Sequence, residues 1–245
     1  MTENAQPALA AVLFDYGHTL VDIRWNESTL VEGERVFLDA LPAPGVPLEL
    51  FHEETVRLLR EAEAAVVDHV ELDYPALVRQ ALARFGVAPP PVDLMAAMRA
   101  QILSWNSVRH VHPDAYELLD TLRGDGLRIG YVSNTYDPPQ ILREVIRDER
   151  MEERADAIVL SSELGYRKPS PRIYRAALRE VDAPAEATLF VGDRVLEDVV
   201  GPAREGMRTC LATWFRSDEG DHSLAGAVAR VPLDVLDIVE EGRAA

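Results

Sequence analysis

Cysteine is nearly absent from this chain. Cys210 alone carries a thiol among 245 residues, which excludes an intrachain disulfide and a thiolate metal cluster. Its setting, Arg208-Thr209-Cys210-Leu211-Ala212, reads as a buried strand. Basic charge is also scarce: 25 Lys and Arg stand against 42 Asp and Glu, a formal net charge of -17. Such a surface repels phosphate backbones and anionic lipid, so no nucleic acid and no membrane is expected as a partner. Long apolar runs are missing: no window approaches a membrane span, and residues 1–8 lack the basic and apolar regions of an export signal. A cytoplasmic protein is the expectation. There is no internal repeat and no low-complexity tract, and the proline clusters at Pro42–Pro47 and Pro89–Pro91 punctuate helices.

What is present is an apolar share of 47%, enough for a sizeable core. The run Ala10-Ala11-Val12-Leu13-Phe14 reads as a strand buried on both faces, ending on Asp15 and turning at Gly17. An acid there lies where open parallel sheets bind ligands. It is equally an Asp closing a strand with an Asx-turn, and this stretch alone does not separate the two. A polar connector over Val21–Asn26 precedes four helical segments. The first is capped by Ser28 or Thr29 and runs towards Ala40. The second spans Pro47 to Val67, the third opens at Asp73 and Pro75, and the fourth covers Val92 to Trp105. From His112 onward helices alternate with strands at Leu127–Ser133, Ala157–Leu160, Ala187–Asp193 and Arg208–Ala212. That alternation predicts an α/β fold with a doubly wound parallel sheet. The helical block is too long for a crossover and is read as an insert, giving a core over residues 1–21 and 108–245 and a helical cap domain over 22–107.

Several strand ends and one loop carry chemistry: Asp15, Ser133 and Asp193, with Lys168 in Gly165-Tyr166-Arg167-Lys168-Pro169. In a parallel sheet these ends share one edge. Two carboxylates, a hydroxyl and an ammonium converging there suit a phosphoryl group. The acids provide the oxygen ligands magnesium prefers, Ser133 and Lys168 provide donors, and Asp15 is a candidate nucleophile.

With these residues in order, the chain resembles the haloacid dehalogenase superfamily, with a Rossmann-like core and a helical cap inserted between its first two motifs. The four motifs are Phe14-Asp15-Tyr16-Gly17-His18-Thr19-Leu20, Tyr131-Val132-Ser133-Asn134, Arg167-Lys168-Pro169-Ser170-Pro171, and Val191-Gly192-Asp193-Arg194-Val195-Leu196-Glu197-Asp198. The resemblance implies a phospho-aspartyl intermediate on Asp15 and Mg2+ held by Asp15, the Gly17 carbonyl and Asp193, with Asp198 orienting metal-bound water or Lys168. Ser133 and Lys168 would bind the transferring group. Asn134, and Arg24 and Trp25 from the cap hinge, are expected at the substrate. The implied activity is removal of phosphate from a small phosphorylated metabolite by a monomer or homodimer.

The pattern departs from the family at Gly17, where its phosphatases usually carry a second Asp that protonates the leaving group. His18 is a candidate substitute acid or a plain turn residue. Dehalogenases of the superfamily also lack that Asp, but they typically carry Ser in place of the acid at 193, so Gly192-Asp193 favours a metal-dependent phosphatase. A phosphate-binding module with little turnover is the third reading. Pro202 falls inside a helix predicted over Glu197–Glu205, which must begin later or kink. Tyr74, Arg79, Trp105 and Arg109 are cap or hinge candidates, and Tyr136 and Asp137 candidates for the mouth of the site. His110 and His112, with one residue between them and no cysteine nearby, are not read as metal ligands, and His52, His69 and His222 read as surface residues.

Overall fold

A computed structural model describes residues 7–42, 45–216 and 220–244. Most of the N-terminal segment and part of the first proline cluster lie outside the described residues. The chain opens with β1 (Ala11–Phe14), whose four residues are all fully buried. It then makes β2 (Val21–Ile23), four helices α1 (Glu27–Ala40), α2 (Leu48–Ala64), α3 (Tyr74–Ala83) and α4 (Pro91–Ser104), a 3-10 turn at Trp105–Val108 and β3 (Arg109–Val111). The alternating half follows: α5 (Pro113–Gly124), β4 (Arg128–Ser133), α6 (Pro139–Asp148), β5 (Ala157–Leu160), α7 (Ser161–Leu164), α8 (Pro171–Glu180) and β6 (Thr188–Gly192). A π-helical turn at Val195–Val200 leads to α9 (Gly201–Arg204), β7 (Arg208–Ala212), β8 (Ala227–Ala229) and α10 (Asp234–Ala244).

The six-stranded sheet has the order β5-β4-β1-β6-β7-β8, and every pairing is parallel. From β1 the chain builds outward through β4 and β5, then returns to add β6, β7 and β8 on the other side. The switch point therefore falls at β1, and ligands bind beyond the carboxyl ends of the strands there. Phe14 pairs with Tyr131 on one side and with Val191 on the other, so Asp15, Ser133 and Asp193 all leave the sheet at that edge.

Two local readings are corrected, and at Pro202 the structure selects a later helix start over a kink. The connector after β1 is partly strand: β2 and β3 form an antiparallel ribbon, Ile23 opposite Arg109, that ties together the two crossings into the helical block. Three-residue strands carrying Asp22 and His110 give no usable alternation. Asn26, rather than Ser28 or Thr29, caps α1, accepting from Thr29 N at 3.0 Å while the Thr29 hydroxyl completes the capping box. Pro202 sits in the first turn of α9, which begins after the π-helical turn, where its missing N–H costs nothing.

Candidate active site

The nucleophile candidate is held by its neighbours. The Lys168 ammonium lies 2.6 Å from Asp15 Oδ1 and 2.7 Å from Asp198 Oδ1, with Lys168 2% exposed. Burial works against its charge, but the two carboxylates more than offset that and hold its pKa above the ordinary lysine range. Lys168 is also the only lysine in the chain, against a majority of arginines. A compact ammonium fits between two carboxylates where a planar guanidinium fork does not.

The positions of the acids follow from backbone. Asp15 N–H continues the ladder to Val191 O at 2.8 Å. The π-helical turn folds Asp198 back beneath the strand end, where its Oδ2 accepts from Arg194 N at 2.9 Å. Gly192 makes this possible: a Cβ there would lie 2.4 Å from the Asp198 Cγ. Thr19, fully buried, places its hydroxyl 3.4 Å from Asp15 Oδ2 and 3.5 Å from Asp193 Oδ1. Ser133 is buried at the end of β4.

Asp15, Asp193 and Asp198 each offer an oxygen within 4.8 Å of the others, all buried. Burial, then repulsion from Asp15 and Asp198, raises the Asp193 pKa. Burial also raises that of Asp198, against the pull of Lys168. Asp193 Oδ2 is buried without a hydrogen bond and is met by Arg216 Nη1 at 3.0 Å, an ionic contact. Surplus negative charge and a buried carboxylate oxygen without a hydrogen bond fit a hard divalent cation, so the donor set could hold a metal.

The other candidates divide. Asn134 uses both ends of its side chain on the Lys168 backbone, accepting from Lys168 N at 2.7 Å and donating to its carbonyl at 3.1 Å. Arg24 is largely exposed and pairs with Asp22 at 2.7 Å. Trp25 packs edge-on against Trp105, ring centroids 4.6 Å apart. Neither makes a polar contact with Asp15, Asp193 or Asp198. His18 has a left-handed φ of 60° and donates its N–H to Val21 O at 2.6 Å. Burial, then Arg216, lowers its pKa, leaving the imidazole neutral at neutral pH. Arg109 is buried against Glu149 at 3.0 Å, and Glu149 also accepts from Tyr16 OH. Tyr74 of the helical block meets Tyr136 of the loop after β4, centroids 5.1 Å apart. Burial raises the Asp137 carboxyl. His52 is not a plain surface residue, since its Nδ1 lies 2.7 Å from the buried Glu34 carboxylate.

Sequence reasoning missed Thr19 and Arg216. Thr19 was legible as the hydroxyl of the first motif, whereas Arg216 lies in a loop after β7 with no signature. That loop is pinned over the nucleophile turn by Trp214 Nε1, which donates to Thr19 O at 2.8 Å.

Residues 9–206 match the family model of the haloacid dehalogenase-like hydrolases. Over 240 residues the chain is 30% identical to a glyceraldehyde 3-phosphate phosphatase of Methanopyrus kandleri, covering 95% of this chain and 98% of that protein. Its fold is similar to a haloacid dehalogenase-type phosphatase from Thermococcus onnurineus, with TM-score 0.65 and 20% identity over 96% of this chain and all of that one. It is also similar to a 2-haloacid dehalogenase from Pseudomonas syringae, with TM-score 0.68 and 21% identity over 95% and 99% of the two chains.

Proposed function

Because the chain belongs to the haloacid dehalogenase-like hydrolase family, we propose that it is a magnesium-dependent phosphohydrolase acting on a small phosphorylated metabolite. The observation that carries this reading is the buried set of Asp15, Asp193 and Asp198 around Lys168, since an acid stands at 193. The names of its relatives bring glyceraldehyde 3-phosphate forward as the first substrate to test.

In this reading an Asp15 carboxylate oxygen attacks phosphorus, the ester P–O bond breaks, and an acyl phosphate forms on Asp15. Water then attacks that phosphorus, releasing inorganic phosphate and restoring the carboxylate. Lys168 and Ser133 face the phosphoryl oxygens, where charge accumulates in the transition state. Asp198 holds Lys168 in place and Thr19 steadies the two acids. A cation held by Asp15, the Gly17 carbonyl and Asp193, with Asp198 behind them, supplies neutralising charge at the phosphoryl group. Residues 22–107 act as the cap, closing over the sheet edge and excluding water.

The test is phosphate release from glyceraldehyde 3-phosphate and p-nitrophenyl phosphate with magnesium and with EDTA. Turnover should need magnesium and disappear in Asp15→Asn. Robust turnover in EDTA, or chloride release from 2-chloropropionate without phosphatase activity, would sink the reading.

A further inference from the structure

Besides its two chain crossings and the Tyr74–Tyr136 contact, the helical block is tied to the sheet edge by a main-chain bridge. Segment 69–71, between α2 and α3, pairs antiparallel with the loop that carries the catalytic lysine, Val70 opposite Tyr166. Glu71 N donates to Gly165 O at 3.0 Å, and Arg167 N donates to His69 O at 2.9 Å. Side chains reinforce the bridge. Arg167 Nε donates to Glu71 Oε1 at 3.1 Å and its Nη1 to Glu63 Oε2 at 2.9 Å. The Glu71 side chain is only 3% exposed, so this carboxylate is desolvated; Leu72 N donates to its Oε1 at 2.9 Å, and Arg167 supplies the opposite charge. Asp68 and His69 both take left-handed φ, 54° and 58°. Two consecutive non-glycine residues persist there only when surrounding contacts hold them.

Arg167 is the residue before Lys168, and the Lys168 backbone is clamped by Asn134 on its other side. The ammonium must meet two carboxylates at 2.6 and 2.7 Å, so a small shift of its backbone breaks both contacts. We propose that Glu71, acting through Arg167, is a positioning residue for Lys168, so that the ammonium is fully in place only while the cap is seated. This deepens the phosphohydrolase reading and rests on it for its catalytic consequence. It explains why a cap segment remote from the carboxylates spends two main-chain hydrogen bonds and a buried ion pair on this one loop.

The chain's single lysine makes the test direct. Protein grown on [13Cε]-lysine gives one side-chain signal, that of Lys168. Glu71→Gln should shift or split that signal and lower kcat for p-nitrophenyl phosphate roughly tenfold, with KM changing less. Glu54→Gln, which removes pairs to Arg57 and Arg84 within the helical block, should leave the signal in place. A second variant separates positioning from general damage. Val70 and Tyr166 face each other as a non-hydrogen-bonded pair, a pairing whose Cα atoms typically lie about 4.5 Å apart, within disulfide reach. Cys210 is fully buried and does not compete. Val70→Cys with Tyr166→Cys, added to Glu71→Gln, should return the Lys168 signal to its wild-type position when oxidised and lose it again on reduction. A Glu71→Gln signal that superimposes on wild type, or a displaced one that oxidation fails to return, overturns the proposal. Because the signal needs no turnover, it decides the positioning even if the wild type releases no phosphate, an outcome that would count against the functional reading alone.

Discussion

Arg216 Nη1 stands 3.0 Å from Asp193 Oδ2, the buried carboxylate oxygen that makes no hydrogen bond. A fixed guanidinium on a metal-ligand candidate competes with an incoming cation. With Asp193 buried and Arg216 partly exposed, the pair is worth at least the about 1 kcal/mol of an exposed one, or roughly fivefold in affinity. Arg216→Gln should therefore tighten magnesium binding several-fold, read by isothermal titration or by fluorescence of the nearby Trp214. Unchanged or weaker binding would show that Arg216 instead holds Asp193 in its binding pose.

The same carboxylates set a pH dependence. Asp193 is raised from 3.8 to about 8, by burial first and then by Asp15 and Asp198. A raised folded-state value means the native chain keeps a proton that the unfolded chain has released. The metal-free protein thus loses stability from this group as pH climbs from about 4 towards 8. In EDTA, the Tm difference between Asp193→Asn and wild type should move in favour of the variant across that window. Magnesium should stabilise wild type most at the alkaline end and release protons on binding. A Tm difference independent of pH would contradict the assignment.

Two glycines beside the site should respond very unequally to one added methyl. At Gly192 a Cβ would fall 2.4 Å from Asp198 Cγ, while at Gly17 it would meet only Ile23 Cδ1 at 3.4 Å. Gly192→Ala should cost roughly 1–3 kcal/mol through overpacking. It should also lower kcat roughly 10²-fold, because Asp198 is pushed from Lys168. Gly17→Ala should leave Tm nearly unchanged. Thermal melts beside kinetics settle both, and an active, stable Gly192→Ala would mean Asp198 is not held by this packing.

The parallel sheet was legible because its strands are buried apolar runs ending on Asp15, Ser133 and Asp193, and the sheet geometry brings such ends together whatever their separation in sequence. The partner of Asn134 was not, since a side chain that clamps the Lys168 backbone reads like one that reaches for substrate. The surroundings of Arg24 and Trp25 were not legible for a related reason. Pairing of Ile23 with Arg109 fixes where that connector points, and three-residue strands leave no periodic trace. The strap at 69–71 has no signature either, because its two bridging hydrogen bonds are main chain and its Glu71–Arg167 ion pair joins residues 96 apart in sequence. One signal was available and unused: an arginine-rich chain that keeps a single lysine keeps it where arginine cannot serve.

Gly17 leaves the leaving group without its usual proton donor. His18, the adjacent candidate, is neutral at neutral pH and lies 3.9 Å from Asp22. An alkoxide should then depart poorly, so the logarithm of kcat/KM, which reports phosphoryl transfer to Asp15, should fall steeply as leaving-group pKa rises. Aryl, acyl, enol and anomeric sugar phosphates should be processed best. Alkyl esters, glyceraldehyde 3-phosphate among them, should be slowest unless binding energy from the rest of the molecule compensates. General acid catalysis typically contributes ~10²–10⁴-fold, and a Cβ at Gly17 would meet only Ile23 Cδ1 at 3.4 Å, an ordinary contact. Gly17→Asp should therefore help alkyl esters most and flatten the line. The comparison must use kcat/KM, because slow hydrolysis of the acyl phosphate would be common to all substrates and could mask the slope in kcat. If the wild-type line is already as flat as that of Gly17→Asp, another group donates the proton, and loss of that flatness in His18→Ala would identify it.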